Sequence, residues 1–139
     1  MLFERAPGSI TKLLIVEDEP LVAFDNEYFL GSNGYTVVGT IDNADEATAL
    51  IAKGGIDLAL CDLKLNGSDG RDVAIAAKAA GIPVLFVTAT CPTDAQDIAV
   101  GCLAKPYNQK DLKSAIQAVA DHLEGKKPKG VPKGLTIYG

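Results

Sequence analysis

The sequence predicts a doubly wound α/β fold around a five-stranded parallel sheet, and three observations predict it. Five short apolar runs recur along the 139 residues, each continuous rather than alternating, as strands covered on both faces require. Stretches with helical spacing of apolar residues lie between them, so the chain reads as successive βαβ units. The composition, 47% hydrophobic and 22% charged, is that of an ordinary globular domain, and the length admits one such domain with little room for a second.

The elements follow in order. Lys12, Leu13, Leu14, Ile15 and Val16 form the first strand, stopped by the acids at 17–19. Residues 20–32 carry Leu21, Val22, Phe24, Phe29 and Leu30 on roughly one helical face, with Pro20 suited to the first turn and Gly31 or Gly34 to the stop. Residues 35–41 are a second, β-branched strand. Asp42 and Asn43 supply a cap for a helix over 44–53, which Gly54 and Gly55 close. Leu58, Ala59, Leu60 and Cys61 make the third strand, ending at Asp62. Residues 66–70 read as loop, 71–80 as an alanine-rich helix and 84–87 as the fourth strand. The segment 93–100 has room for a short helix. Cys102, Leu103 and Ala104 form a brief fifth strand, and 108–123 the last helix. Residues 1–9 are an N-terminal extension and 10–124 the domain. Residues 125–139, rich in lysine, glycine and proline, read as a flexible basic tail dispensable for folding. The run Leu135-Thr136-Ile137-Tyr138 is the one part of it suited to docking.

Charge and composition narrow the function. The net charge of −5 conceals an asymmetry: the four tail lysines leave residues 1–124 with 18 acids against 9 bases, a net of −9. A body that acidic is a poor nucleic-acid binder. The longest uncharged stretch, 79–93, holds Pro83 and Pro92 and is too short to span a bilayer. The N-terminus lacks a basic start followed by an apolar run, so no secretory signal is expected. Cys61, Cys91 and Cys102 are an odd count without a Cys-x-x-Cys pair, which fits unpaired thiols in a cytoplasm.

Ligands of an open parallel sheet bind beyond the carboxyl ends of its strands. Glu17, Asp18 and Glu19 follow strand one, Asp62 follows strand three, Thr88 follows strand four and Lys105 follows strand five. Clustered carboxylates repel one another unless a cation joins them. Oxygen ligands without His or Cys select a hard cation, Mg²⁺ before Ca²⁺ or Mn²⁺, and Mg²⁺ retains positions for a phosphoryl group. Lys105 can pair with that group as a point charge, and Thr88 can donate a hydrogen bond to it.

Glu17-Asp18, Asp62, Thr88 and Lys105-Pro106, each at a strand end, together with the loop Asp62-Leu63-Lys64-Leu65-Asn66-Gly67-Ser68-Asp69-Gly70, resemble the receiver domain of two-component response regulators in its stand-alone, CheY-like form. The resemblance covers about residues 10–124. It implies a flavodoxin-like sheet of order 2-1-3-4-5. It implies that Asp62 accepts a phosphoryl group from a histidine kinase or a histidine phosphotransfer protein. Asp18, Asp62 and the Lys64 backbone carbonyl would bind Mg²⁺, with Mn²⁺ as a substitute and Glu17 acting through water. Thr88, Ala89 and Lys105 would contact the phosphoryl oxygens, and the Lys105–Pro106 bond would be cis. The same resemblance implies a cytoplasmic signalling protein, no enzyme beyond assisting its own phosphorylation and dephosphorylation. Its output would be changed contacts with an unidentified downstream protein, with neither nucleic acid nor membrane as partner.

Two positions depart from the family pattern. Cys102 stands where an aromatic residue usually lies, three before the lysine. The span from Thr88 to Lys105 is several residues short, so the fourth helix is expected to be shortened or irregular. Ordering of residues 89–101 is then expected to replace an aromatic rotation as the switch.

Other functions fit less well. A degenerate receiver acting as an unphosphorylated interaction module is the alternative, but the complete acid–Asp–Thr–Lys set argues against it. An aspartyl-phosphate phosphatase needs a second acid two residues past its nucleophile, where this chain has Lys64. A flavin-binding relative needs a phosphate-cradling loop after strand one, where the acids stand. Lys64 and Thr90, each two residues beyond a site residue, are placed to tune acyl-phosphate lifetime. Of the rest, His122 reads as solvent-facing at a helix C-terminus, Cys61 and Cys102 as buried packers, Cys91 as an exposed loop residue, and Phe24, Phe29 and Phe86 as core.

Overall fold

In a computed structural model describing residues 10–139, the chain runs β1 (Lys12–Val16), α1 (Pro20–Ser32), β2 (Thr36–Ile41), α2 (Ala44–Lys53), β3 (Leu58–Cys61), β4 (Lys64–Leu65), β5 (Ser68–Asp69), α3 (Gly70–Ala79), β6 (Val84–Thr88), β7 (Gly101–Ala104), α4 (Gln109–Leu123) and β8 (Leu135–Ile137). The extension assigned to residues 1–9 lies outside the described residues. The main sheet has the order β2-β1-β3-β6-β7-β8. Its first five members are parallel and reproduce the predicted order, and β8 joins β7 antiparallel. The four residues of β3 and five of β6 are buried throughout, as the continuous apolar runs require.

Each face of the sheet has its own core. Ala47 and Ile51 of α2 and Val73, Ala74 and Ala77 of α3 pack on one face with Leu14, Val16, Ala59 and Phe86. Leu30 of α1 and Leu112, Ile116 and Val119 of α4 pack on the other with Leu13, Ile15, Leu60 and Leu85. Side-chain caps begin three helices: Asn43 accepts from Glu46 N, Asp69 from Arg71 N and Asn108 from Asp111 N. The 66–70 loop is tighter than expected. Its Asn66-Gly67 turn, with Gly67 at φ 64°, joins β4 and β5 as a small antiparallel hairpin.

Helix α1 is turned away from the predicted face. It buries Ala23, Asn26 and Leu30, while Leu21 and Phe24 are 79% and 67% exposed, so Phe24 is not a core residue. The reason lies in the loop between β7 and α4: Asn26 Nδ2 donates to the Tyr107 hydroxyl at 2.8 Å, which makes a polar residue acceptable on the inner face. Phe29 packs at the core margin, and Phe86 is fully buried as expected.

Between β6 and β7 no helix forms, the limiting case of the shortened fourth helix. The segment 89–100 is instead tethered. Ala95 is fully buried, Ile98 N and Ala99 N both donate to Ala95 O, Val100 N donates to Val84 O, and Arg71 pairs with Asp94 at 2.9 Å. Lys78 Nζ also donates to the Asp97 carbonyl. A disulfide joins Cys91 to Cys102, which corrects the reading of three unpaired thiols. An odd count leaves one cysteine over rather than excluding a pair. Cys61 is that remainder, free and buried.

The tail also differs from expectation. The run 135–138, singled out as the part able to dock, does so: β8 lies against β7, Leu135 is 7% exposed, and Tyr138 N donates to Val100 O at 2.9 Å. Residues 135–139 are therefore expected to contribute to stability. Truncation after Gly134 is expected to cost about 2 kcal/mol from the Leu135 side chain alone. That corresponds to a fall in Tm of roughly 6 °C at this chain length. An unchanged thermal midpoint would show that β8 contributes no stability.

Candidate functional site

The backbone ladder sets the spacing of the acids. Glu17 N donates to Ile41 O at 2.9 Å and Asp62 N to Val16 O at 3.0 Å, so both residues continue the sheet's hydrogen bonding one step beyond β1 and β3. Thr88 closes β6 opposite Ala104 of β7, and Lys105 N donates to Thr88 O at 2.8 Å. Four strand ends thus deliver Glu17, Asp62, Thr88 and Lys105 to one edge. Glu17, Asp62 and Thr88 are buried, at 5%, 6% and 4% exposure.

Lys105 is the hub of the charges. Its Nζ lies 2.8 Å from Asp62 Oδ2, 3.0 Å from Glu17 Oε1 and 3.2 Å from Glu19 Oε2. Burial alone would lower the pKa of this ammonium. The hydrogen bonds to Asp62 and Glu17 and their negative charges outweigh burial, and it stands above the ordinary lysine value. Glu17 moves up as well, because burial of its carboxyl outweighs the hydrogen bonds from Lys105 and from the Glu19 backbone. The other oxygen of Asp62, Oδ1, accepts from Lys64 N at 3.2 Å, so the hairpin loop orients the carboxylate. The Lys105–Pro106 peptide is cis.

Oxygens of Glu17, Asp18, Glu19 and Asp62 all lie within 4.8 Å of one another. Four carboxylates with no nitrogen or sulfur donor suit a hard divalent cation. Ala89 and Thr90, which follow Thr88, are exposed.

Two contributors were not assigned from sequence. Glu19 completes the ion-pair network around Lys105, and the three-acid run was the available signal. Gly70 closes the loop that follows Asp62, and its steric role is not visible in the sequence. A Cβ placed there would overlap the Asp62 backbone carbonyl oxygen and crowd Leu63 Cα at 2.9 Å, so α3 approaches the site only because residue 70 has no side chain.

Comparison with known proteins agrees with this geometry. Residues 13–117 match the family model described as the response regulator receiver domain. The transcriptional regulatory protein PdtaR of Mycobacterium tuberculosis is 35% identical over 113 residues, covering 76% of this chain and 55% of that protein. The phyllosphere-induced regulator PhyR of Methylorubrum extorquens is 32% identical over 119 residues, covering 81% of this chain and 45% of its own length. The chain thus spans about half the length of these curated relatives. Among solved structures, SdrG from Sphingomonas melonis is 36% identical with a TM-score of 0.68, covering 79% of this chain and 96% of SdrG. A CheY-like receiver domain protein from Methanospirillum hungatei is 27% identical with a TM-score of 0.74, covering 84% of this chain and 98% of that one.

Proposed function

The chain belongs to the response regulator receiver family, and from that premise we propose that Asp62 accepts a phosphoryl group in a Mg²⁺-dependent transfer that changes the protein's contacts with a downstream partner. The observation that carries this reading is the placement of a buried carboxylate 2.8 Å from the Lys105 ammonium, with three further acids around it. An Asp62 oxygen attacks phosphorus, the bond from phosphorus to the donor breaks, and the donor leaves with the electron pair. With a phosphohistidine donor that bond is N–P and the leaving imidazole takes up a proton.

The residues of this chain supply position and charge, the main sources of catalysis in phosphoryl transfer. Lys105 pairs with the incoming phosphoryl oxygens. The Thr88 hydroxyl and Ala89 backbone N–H donate to them. Asp18, Asp62 and the Lys64 carbonyl would hold Mg²⁺, with Glu17 acting through water, and the cation would neutralise charge on the transferred group. Lys64 and Thr90 border the cleft and adjust water access to the acyl phosphate.

The donor is a histidine kinase or a histidine phosphotransfer protein. Leu21, Phe24 and Tyr28 offer it an exposed apolar stripe on α1, at helical spacing directly after the acidic turn. No helix among the described residues is long and apolar enough to cross a membrane, and a cytoplasmic setting is part of this proposal.

Incubation with acetyl phosphate and Mg²⁺ is expected to add one phosphoryl group to the wild-type protein and none to Asp62→Asn. Equal labelling of the two proteins would overturn the assignment.

A further inference from the structure

The tethers on the segment 89–100 are not equivalent. Most are hydrogen bonds or a single exposed ion pair, but one is covalent. Cys91 lies three residues beyond Thr88. Cys102 lies in β7, an interior strand, opposite Phe86 of β6 on one side and Thr136 of β8 on the other. Their bond closes a ring of chain across eleven positions of sequence, with Cα atoms 5.9 Å apart. Tyr138, the residue after β8, fastens the same segment, its hydroxyl donating to the Pro92 carbonyl at 3.3 Å. The ring therefore ties the chain that follows Thr88 to β7 and, through β7, to the docked tail.

We propose that Cys91–Cys102 is a reversible redox modification site, opened by a thiol reductant, whose state sets whether the segment after Thr88 can move. Cys102 is completely buried, whereas Cys91 is only half-buried, so the attack of an external thiolate is directed to Cys91 rather than Cys102. The attack forms a mixed disulfide at Cys91 and expels Cys102 as a thiolate. A second reductant thiol resolves the mixed disulfide, giving two protein thiols and one oxidised reductant, a two-electron exchange in balance. Cys61 takes no part. It is free and buried in the core, out of reach of an external thiol.

The consequence is a latch. A cross-link restricts the open conformations of the loop it closes. With the bond made, residues 89–100 are held at both ends and in the middle. With the bond broken, hydrogen bonds, the Arg71–Asp94 ion pair and the packing of Ala95, Ile98 and Ala99 on the core retain them, and no helix adds cooperative stability. As far as it concerns signalling, the latch rests on the phosphoacceptor reading of Asp62, because Thr88 is the residue the segment would follow.

The test uses the full chain in oxidised and dithiothreitol-reduced form. Alkylation after denaturation, read by mass, is expected to tag one cysteine in the oxidised protein and three in the reduced. Amide exchange in residues 89–101 should speed up about tenfold on reduction, as loop opening approaches the low end of native opening energies. It should slow again on treatment with oxidised glutathione. Cys91→Ser, a near-isosteric change at the half-buried sulfur, should show the fast pattern with or without reductant. Three tagged cysteines in the air-oxidised protein, or equal exchange in both forms, would overturn the latch. Acetyl phosphate labelling of both forms separates the two readings. If neither form is labelled while the exchange difference persists, the phosphoacceptor reading fails and the latch stands. If both are labelled and 89–101 exchanges identically, the latch fails and the receiver stands.

Discussion

Gly70→Ala is expected to be among the most damaging single-methyl additions in the molecule, costing about 3 kcal/mol or more and slowing phosphorylation as well. Glycines elsewhere give the scale for this expectation. At Gly31, on α1, a Cβ meets nothing within 4 Å, so alanine there should stabilise the helix by about 0.5 kcal/mol. At Gly101 a Cβ meets the Thr136 carbonyl, but β8 is a three-residue edge strand and can lift away. At Gly70 the obstacles are the Asp62 carbonyl oxygen and carbon and Leu63 Cα, all backbone atoms beside a fully buried strand. No rotamer change relieves them. Gly70 N also donates to Leu63 O at 2.7 Å, so α3 cannot retreat without losing that bond. Either α3 or the loop carrying Asp62 must shift, and the second displaces the carboxylate from Lys105. Denaturant melts and acetyl phosphate labelling of the three alanine variants check the ranking. A Gly70→Ala protein as stable and as quickly labelled as wild type would refute the close approach.

Lys105→Met should be the second large effect, and Mg²⁺ should reverse much of it. The ammonium side chain is 16% exposed, and two of its three partners, Glu17 and Asp62, are 4% and 8% exposed. Removing it leaves adjacent buried carboxylates without a counter-charge. Breaking a fully buried pair costs about 3–5 kcal/mol. Here the cleft is open to solvent, and Glu17, already raised by burial, can take up a proton, so about 2 kcal/mol is expected. A divalent cation bound among the acids replaces the lost charge. The Tm rise on adding millimolar Mg²⁺ should therefore be larger in Lys105→Met than in wild type, by the mass-action stabilisation of a ligand that binds the folded state. The pH dependence has a definite sign. The folded-state pKa of Lys105 lies above its unfolded value. Its stabilisation is complete below the ordinary lysine range and disappears only as pH rises through the raised value. Wild type and variant should therefore differ most near neutrality and converge in strong alkali. Identical Mg²⁺ responses in the two proteins would show that the ammonium and the cation do not share these acids.

The five parallel strands were legible because continuous apolar runs are local signals, and their order followed only from the family resemblance that the strand-end residues carry. Glu17, Asp18, Asp62, Thr88 and Lys105 were legible as well, each marked by its place just past an apolar run. What was not legible depends on partners distant in sequence. Helix α1 could be assigned from its spacing, but its buried face depended on Tyr107, 81 residues away, satisfying Asn26. The Cys91–Cys102 bond depends on how the segment 89–100 folds back onto β7, and no periodicity encodes that. β8 is three residues long, too short to be distinguished from the tail around it by pattern alone. Gly70 shows the same limit from the other side: a glycine in a loop has many uses, and only the position of the Asp62 backbone reveals which one applies.

Borohydride trapping of the phosphorylated protein tests the central assignment most directly, because it converts an aspartyl phosphate to homoserine and so marks the residue that carried the group. After reaction with acetyl phosphate and Mg²⁺, peptide mapping should find homoserine at position 62 and nowhere else, and none when Mg²⁺ is withheld by chelation. Homoserine at another acid of the cluster, or incorporated phosphate with no homoserine at all, would contradict the account.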